Sequence, residues 1–404
     1  MPSNYKRLGP YIREVNVRNT DLRVTTLLGV SIQKVFMPSI ANTIGTDMST
    51  YKIVRKNQFA YGPVTSRNGD KISVALLQDH DEAIISQAYI PFEIIDHNEL
   101  DPEYLMMWFR RPEFDRYARF KSHGSARESF DWAEMCDTEL PVPHIDVQRA
   151  MVKEYNTITD RIALNEQLNR KLEETAQALY RHWFVDFEFP YDFEKGEPAL
   201  QGQPYKSSGG EMEWCEELEK EIPRGWGRQQ LKHIVDMRYG KMLDSSNFIE
   251  SGYPVYSGYG IRGYYSEYMY ENPEILVVCR GVSGTGNVVF SPAKSYITNL
   301  SIVLSVMKLD FSKQYLFRYL RDYNLESINS GSAQSMITIG DLEPVLVLEP
   351  LNDVMSHFEI LMTKTASYSE NLISGVSSLT HLLSTVLSRM STVETGVTDG
   401  VGVG

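Results

Sequence analysis

Apolar and polar positions along the chain change period twice, in the same order each time. Over residues 1–145 the apolar positions form short runs such as Ile72-Ser73-Val74-Ala75-Leu76-Leu77, punctuated by Gly, Pro and Asn. That pattern predicts short strands joined by turns. A helix is predicted around Pro102–Arg110, and Leu140-Pro141-Val142-Pro143 closes the region as a Pro-ended strand. Residues 146–185 then read as one long helix. Residues 225–350 return to strand-type runs, including Ile275-Leu276-Val277-Val278-Cys279, with a helix around Lys313–Arg321 and a closing strand at Val345–Pro350. Residues 351–393 read as a second long helix, and residues 394–404 remain as a tail with no assignment.

In the second helix Leu361, Thr365, Tyr368, Leu372, Gly375, Leu379, Leu382 and Val386 recur at alternating steps of four and three. Such spacing predicts a coiled-coil seam; an ordinary amphipathic core helix is the competing reading. Moved back by 207 residues, the same steps give Glu154, Ile158, Arg161, Asn165, Leu168, Leu172, Thr175 and Leu179 in the first helix. This seam is more polar, with Ile162, Leu164 and Trp183 as apolar neighbours. Two such helices in one chain most simply pair antiparallel, and a helix of about 38 residues spans roughly 57 Å. Gly375 within the seam predicts a close approach of the helices there.

The strand-type regions also match each other in sequence. Leu8…Ile12 aligns with Leu231…Val235, Ile85–Ile90 with Ile297–Ile302, and Tyr104-Leu105 with Tyr315-Leu316. Gly124-Ser125-Ala126 aligns with Gly331-Ser332-Ala333, and Pro143 with Pro350. The offset shrinks steadily and the order never changes, which marks an internal repeat. The predicted class is α+β: two tandem α/β units, each followed by a long helix.

At roughly 150 residues per domain, 404 residues fit two to three domains. No run approaches the ~20 apolar residues of a membrane span, and Met1–Arg7 has no apolar stretch behind it, so no secretory signal is expected. Cys136, Cys215 and Cys279 are too scattered for a disulfide framework or a CxxC metal knuckle. A reduced cytoplasm fits. The net charge of -13 at first opposes a nucleic-acid partner. Its distribution changes that. Residues 186–224 hold 11 acidic and 4 basic residues, whereas 1–145 hold 19 and 17 and 225–350 hold 12 and 11. The Gly- and Pro-rich stretch 186–224 reads as an acidic linker, and the two large regions are nearly neutral.

Catalytic motifs are missing. The nearest string to an Asn/Asp-Pro-Pro-aromatic loop for a flipped base is Asn272-Pro273-Glu274-Ile275. No lysine follows an acidic residue at two positions' distance, as a restriction-type nuclease site would need. The single Gly-Lys, Gly240-Lys241, is followed by Met242 and so is no Walker A loop. The eight histidines form no HExxH and no i,i+4 pair. Arg280-Gly281-Val282-Ser283-Gly284-Thr285-Gly286 resembles a phosphate loop, but a hairpin turn with positive φ explains it better. These absences argue against an enzyme.

Binding surfaces are more evident. Arg116, Arg119, Lys121 and Arg127 lie with Arg110 and Arg111 in one basic stretch, interleaved with Tyr117, Phe120 and His123. Such a mixture suits phosphate contact with packing against sugar or base; a solvated helix end is the plainer reading. The polar loop Tyr61 to Lys71 offers Tyr61, Thr65, Ser66, Arg67, Asn68 and Lys71, types that read phosphates and base edges. In the second half seven tyrosines fall between residues 253 and 270, with Gly258, Gly260 and Gly263 among them and Gly252 just before. Tyr256, Ser257, Tyr259 and Arg262 are candidates there, with Arg280, Ser283, Ser332 and Gln334 on nearby turns.

These strings resemble the specificity (S) subunit of type I restriction–modification systems over essentially the whole chain. The resemblance rests on Gly252–Tyr264, the Arg280–Val288 glycine turn, Ser330-Gly331-Ser332-Ala333-Gln334 followed by Ile339-Gly340-Asp341-Leu342, His182–Phe187 and Glu221–Trp226. It implies target-recognition domains at 1–145 and 225–350, each reading one half of a bipartite asymmetric site in double-stranded DNA. The helices at 146–185 and 351–393 would form an antiparallel coiled coil that sets the half-site interval. The resemblance implies no catalysis and no cofactor in this chain. Two methyltransferase (M) subunits would hold S-adenosylmethionine, and restriction (R) subunits would use ATP and Mg. The setting would be the cytoplasm of a bacterium or archaeon, associated with the nucleoid and without a membrane partner. One departure is that the first domain opens at Tyr5-Lys6-Arg7-Leu8-Gly9, without a clear Ile-Pro-x-Gly-Trp entry. A coiled-coil adaptor that binds only proteins is the alternative.

Overall fold

The computed structural model describes residues 5–39, 45–66, 68–123, 128–281, 284–328 and 336–392. The helices are α1 (Pro102–Phe109), α2 (Pro112–Lys121), α3 (Trp132–Cys136), α4 (Ile145–Phe184), α5 (Lys313–Asp322), α6 (Ile339–Leu342) and α7 (Asn352–Arg389). Two compact units result: residues up to Glu166 with those from Ile373 onward, and Gln167–Leu372.

The first unit is built on a four-stranded antiparallel sheet, ordered Ile12–Glu14, Ile90–Ile94, Phe59–Tyr61, Val74–Leu76. Its strands carry Phe59 and Phe92 in stacked contact at 4.8 Å, with Phe109 of α1 against both. Asp101 caps α1 by accepting from the Glu103 and Tyr104 amides, and Pro102 occupies the first turn, where its missing N–H costs nothing. Tyr5–Arg7 pairs with Glu139–Pro141 at the unit's edge, and the Tyr104 hydroxyl donates to the Pro141 carbonyl at 3.1 Å.

The second unit repeats this plan. Its sheet runs Val235–Tyr239, Ser301–Val306, Ile275–Val278, Val288–Phe290. Gly227–Gln230 pairs with Leu346–Glu349, and the Tyr315 hydroxyl donates to the Leu348 carbonyl at 2.7 Å. Tyr104 and Tyr315 are aligned in the sequence repeat, and each ties its helix to the equivalent closing strand. The same strand order and the same tyrosine bond bear out the repeat.

Residues 186–224, a linker by composition, are folded. Pro190–Asp192, Glu197–Pro198 and Gln203–Pro204 form one small sheet, and Met212–Cys215 with Lys220–Pro223 form a hairpin. Aromatic stacking anchors them: Phe189 lies on Tyr205 at 4.6 Å and on Trp226 at 5.3 Å, and Phe187, Cys215 and Ile222 join the second unit's core. Gly and Pro frequency suggests a linker here because it takes no account of the aromatic residues that bury beneath the turns.

In the first unit, α4 packs antiparallel on the end of α7. Glu154 pairs with Arg389 at 2.7 Å, and Tyr155, Ile158, Val386 and Met390 are buried together. In the second unit, Ala176, Tyr180, Trp183 and Phe184 pack on Val354, Met355, Phe358 and Met362, with Trp183 and Phe358 rings 5.8 Å apart. Burial marks the seam of α4 as Tyr155, Ile158, Ile162, Asn165, Asn169, Leu172, Ala176, Leu179 and Trp183, and that of α7 as Met355, Phe358, Met362, Thr365, Ser369, Leu372, Val376, Leu379, Leu383, Val386 and Met390. The predicted Ile158, Leu172, Leu179, Leu372, Leu379 and Val386 stand in it, and Leu361 packs at its side. Leu168, Tyr368 and Leu382 do not. They are 43%, 67% and 47% exposed, one position off the observed steps. A Cβ on Gly375 would stand 3.2 Å from Asn165 Nδ2, so the close approach expected at this glycine is present.

Candidate nucleic-acid interface

Both units build the same loop arrangement beside the sheet. In the first, residues 62–73 join strand Phe59–Tyr61 to Val74–Leu76; in the second, residues 279–287 join Ile275–Val278 to Val288–Phe290. Each loop is pinned to the segment entering the next short helix. The Thr65 amide donates to the Glu128 carbonyl at 3.0 Å and the Phe130 amide to the Pro63 carbonyl at 2.8 Å. Equivalently, the Ile337 amide donates to the Cys279 carbonyl at 2.9 Å, and Arg280 bridges to Met336. The repeat therefore delivers one loop pair per unit, with different side chains on each.

In the first unit, Tyr61 and Thr65 point away from any ligand surface. Tyr61 is fully buried against Phe92, Phe130 and Trp132. That burial pushes its phenol pKa well up. Thr65 is 2% exposed, with its hydroxyl 3.0 Å from Ser122 Oγ and 3.3 Å from the Glu128 carbonyl. Both are corrections to the expected contact set: strand and turn geometry turn these side chains inward. Ser66 and Lys71 are exposed, and Asn68 is half-buried with Nδ2 donating to the Val64 carbonyl. Arg67, Arg127, Ser283, Ser332 and Gln334 lie outside the described residues, as do residues 394–404.

The basic stretch falls on α2, whose last turn carries Arg119 and Lys121. Its cations are countered by carboxylates, of which Glu113 lies in the same stretch and Glu128 and Glu134 come from beyond the helix. Arg119 pairs with Glu128 at 2.5 Å, Lys121 with Glu134 at 3.1 Å and Arg116 with Glu113 at 3.4 Å. Glu134 raises the Lys121 pKa by hydrogen bond and charge. Phe120 projects from the same turn at 81% exposure. The surface thus offers an aromatic ring among exchangeable ion pairs. Among the side chains of 110–121, Arg111 is withdrawn: it is 5% exposed, with its guanidinium 4.3 Å from the Trp108 ring centroid.

In the second unit, Ser257 is a correction of the same kind. It is buried in a turn, its Oγ 3.3 Å from the Gly260 carbonyl, while its own carbonyl accepts from Ser301 Oγ at 3.1 Å. Tyr256 is half-buried, and that burial raises its pKa. Tyr259 is exposed but engaged, its hydroxyl donating to the Arg280 carbonyl at 3.2 Å. Gly281 has φ +151°, and a Cβ there would meet the Tyr259 hydroxyl at 2.0 Å. Gly281, Gly284 and Gly286 all have positive φ, which bears out the hairpin-turn reading of this glycine string. Arg262 is exposed on strand Ile261–Tyr265. Arg280 is half-buried, and its Nε is buried without a hydrogen-bond partner.

Among the described residues no group of three or more His, Cys, Asp and Glu side chains is arranged to hold a metal, and no helix is long and apolar enough to cross a membrane.

Residues 223–351 match the family model described as the type I restriction modification DNA specificity domain. The chain is similar to the type I restriction enzyme MjaIX specificity subunit of Methanocaldococcus jannaschii, 27% identical over 147 residues, covering 36% of this chain and 30% of that one. It is similar also to the EcoprrI specificity subunit of Escherichia coli, 31% identical over 128 residues, covering 30% and 31%. The matched stretch thus spans about a third of these relatives' length. The fold matches the S subunit of a type I restriction–modification system from M. genitalium with a TM-score of 0.58 at 15% identity, over 96% of this chain and 95% of that one. The resemblance read from the sequence stands: by sequence on the second unit's domain, and by fold along nearly the whole chain.

Proposed function

We propose that this protein is the DNA sequence-specificity subunit of a type I restriction–modification complex, itself without catalysis. Each unit reads one half of a bipartite site, and the paired helices fix the interval between the halves. Two methyltransferase subunits holding S-adenosylmethionine dock on the chain. Restriction subunits that use ATP and Mg²⁺ join them, and the assembly works on DNA in the cytoplasm. The observation that carries this reading is the loop pair built twice on one plan with unlike side chains. A repeated scaffold with divergent loops suits two different half-sites.

Single-molecule sequencing of DNA methylated by the assembled complex tests it. One bipartite motif with a fixed gap is expected. Methylation without sequence preference would remove the specificity role. Methyl transfer by the isolated chain would make it an enzyme. No DNA affinity at low salt, even with the partner subunits bound, would instead favour a protein-only adaptor.

A further inference from the structure

The hairpin Met212–Cys215/Lys220–Pro223 turns one face into the core, and the other is covered at its Met212/Pro223 end but open at Trp214 and Glu221. Inward, Cys215 and Ile222 are buried with Trp226. Lys220 also turns inward, its ammonium 5.6 Å from the Phe187 ring centroid. Outward, Trp214 is 64% exposed and sits directly across the strands from exposed Glu221. Six carboxylates and two cations lie between Glu211 and Arg224. Arg224 is taken by Glu211, and Glu217 by Arg228. Glu213 accepts from the Gly225 amide at 3.1 Å. Glu216, Glu219 and Glu221 are exposed in the same hairpin, with no cation within ion-pair distance among the described residues, although the field of Glu216 reaches Arg228.

We propose that this outer face docks a cationic surface of the methyltransferase subunit, with a Lys or Arg of that subunit seated over the Trp214 ring. The choice of partner rests on the function proposed above; the charge of the face rests on the structure alone. An exposed tryptophan is a strong anchor for an interface, and its ring face attracts cations. Glu221 across from it, with Glu216 and Glu219 in the adjoining turn, complements the same charge. These carboxylates also exclude the other large anionic surfaces: DNA phosphates and acidic membranes are repelled, and a second copy would present the same acidic face. The acidic segment therefore serves assembly while the nearly neutral loop pairs serve DNA.

Fluorescence reads this contact directly. Trp108, Trp183 and Trp226 are buried and Trp132 is half-buried, so Trp214 is the most exposed tryptophan. Titrating the full chain with purified methyltransferase subunit at low salt should shift tryptophan emission to the blue and protect it from acrylamide. Trp214→Phe should abolish most of that change. The triple variant Glu216→Lys/Glu219→Lys/Glu221→Lys should weaken binding at least tenfold and flatten its salt dependence. Trp214→Ala adds a check that needs no spectral signal, and binding should weaken there too. Affinity unchanged in the triple variant and in Trp214→Ala, with wild-type binding intact, overturns the docking face alone. No binding by the wild-type chain overturns both the face and the subunit assignment.

Discussion

Lys34 shows how single side chains hold the first unit's surface loops in place. It is 6% exposed at a left-handed turn with φ 63°, and its ammonium bonds the Phe109 carbonyl and Asp115, the latter at 2.7 Å. Asp115 also accepts from the Ile72 amide at 3.1 Å, so one buried ion pair ties the hairpin Leu28–Val30/Phe36–Pro38, α2 and the end of the loop 62–73. Burial lowers the Lys34 pKa, and Asp115 offsets only part of that. Lys34→Met strands the Asp115 carboxylate and should cost about 3 kcal/mol in urea denaturation. The pH dependence has a definite sign. The unfolded chain holds its lysine proton up to about 10.5, while the folded chain releases it earlier. Between those values the unfolded state binds more protons, so this group's contribution rises with pH. Lys34→Met should lack that rise. At the candidate interface, Arg119 must leave Glu128 to reach a phosphate. Glu128→Gln should therefore tighten DNA binding at low salt, and Arg119→Ala should weaken it on all sequences and lower the salt slope by about one. A Glu128→Gln variant that binds more weakly than wild type would show that the pair is structural.

The long helices show which part of a helical pattern the sequence reveals. Their existence, their length and every second seam position were legible, because Ile158, Leu172, Leu179, Leu372, Leu379 and Val386 are apolar and buried or half-buried. The intervening positions were misplaced by one residue. Asn169 and Ser369 hold the seam and bond each other, whereas the apolar Leu168 and Tyr368 beside them face solvent. Hydrophobicity alone prefers the apolar neighbour; only the packing partner settles the phase. The same limit applied to the loops. Their location was legible from turn residues, but the inward turn of Tyr61, Thr65 and Ser257 depends on the sheet and turns beneath them. The seam makes a sharp comparison possible. Met362→Ala, at a position 2% exposed, should destabilise by about 3 kcal/mol. Tyr368→Ala should stay within about 0.5 kcal/mol, although Tyr368 is the larger residue. Thermal and chemical denaturation of both variants would check the phase, and the reverse ranking would restore the original seam.

At the scale of the whole chain, charge and repeat together divide the labour. The net charge of -13 is concentrated in the folded segment before the second sheet, where Glu216, Glu219 and Glu221 are exposed. The two loop-bearing regions are nearly neutral and each presents exposed cations, Arg116 and Lys71 in one and Arg262 in the other. Such a chain should bind DNA weakly alone and gain affinity from partner subunits, with a steep salt dependence in the complex. Because the loop pair is built separately in each unit, with its own pinning bonds, the readout should be modular. Replacing residues 225–350 by the equivalent region of a related subunit should change one half of the methylated motif and leave the other half unchanged. Within that region Arg262→Ala should relax preference at one position of the same half by about 1–3 kcal/mol if its guanidinium reads a base edge. Motif mapping by sequencing distinguishes the outcomes. An exchange that altered both halves would mean that the units do not read independently. Equal loss on all sequences for Arg262→Ala would move that residue from the bases to the phosphates.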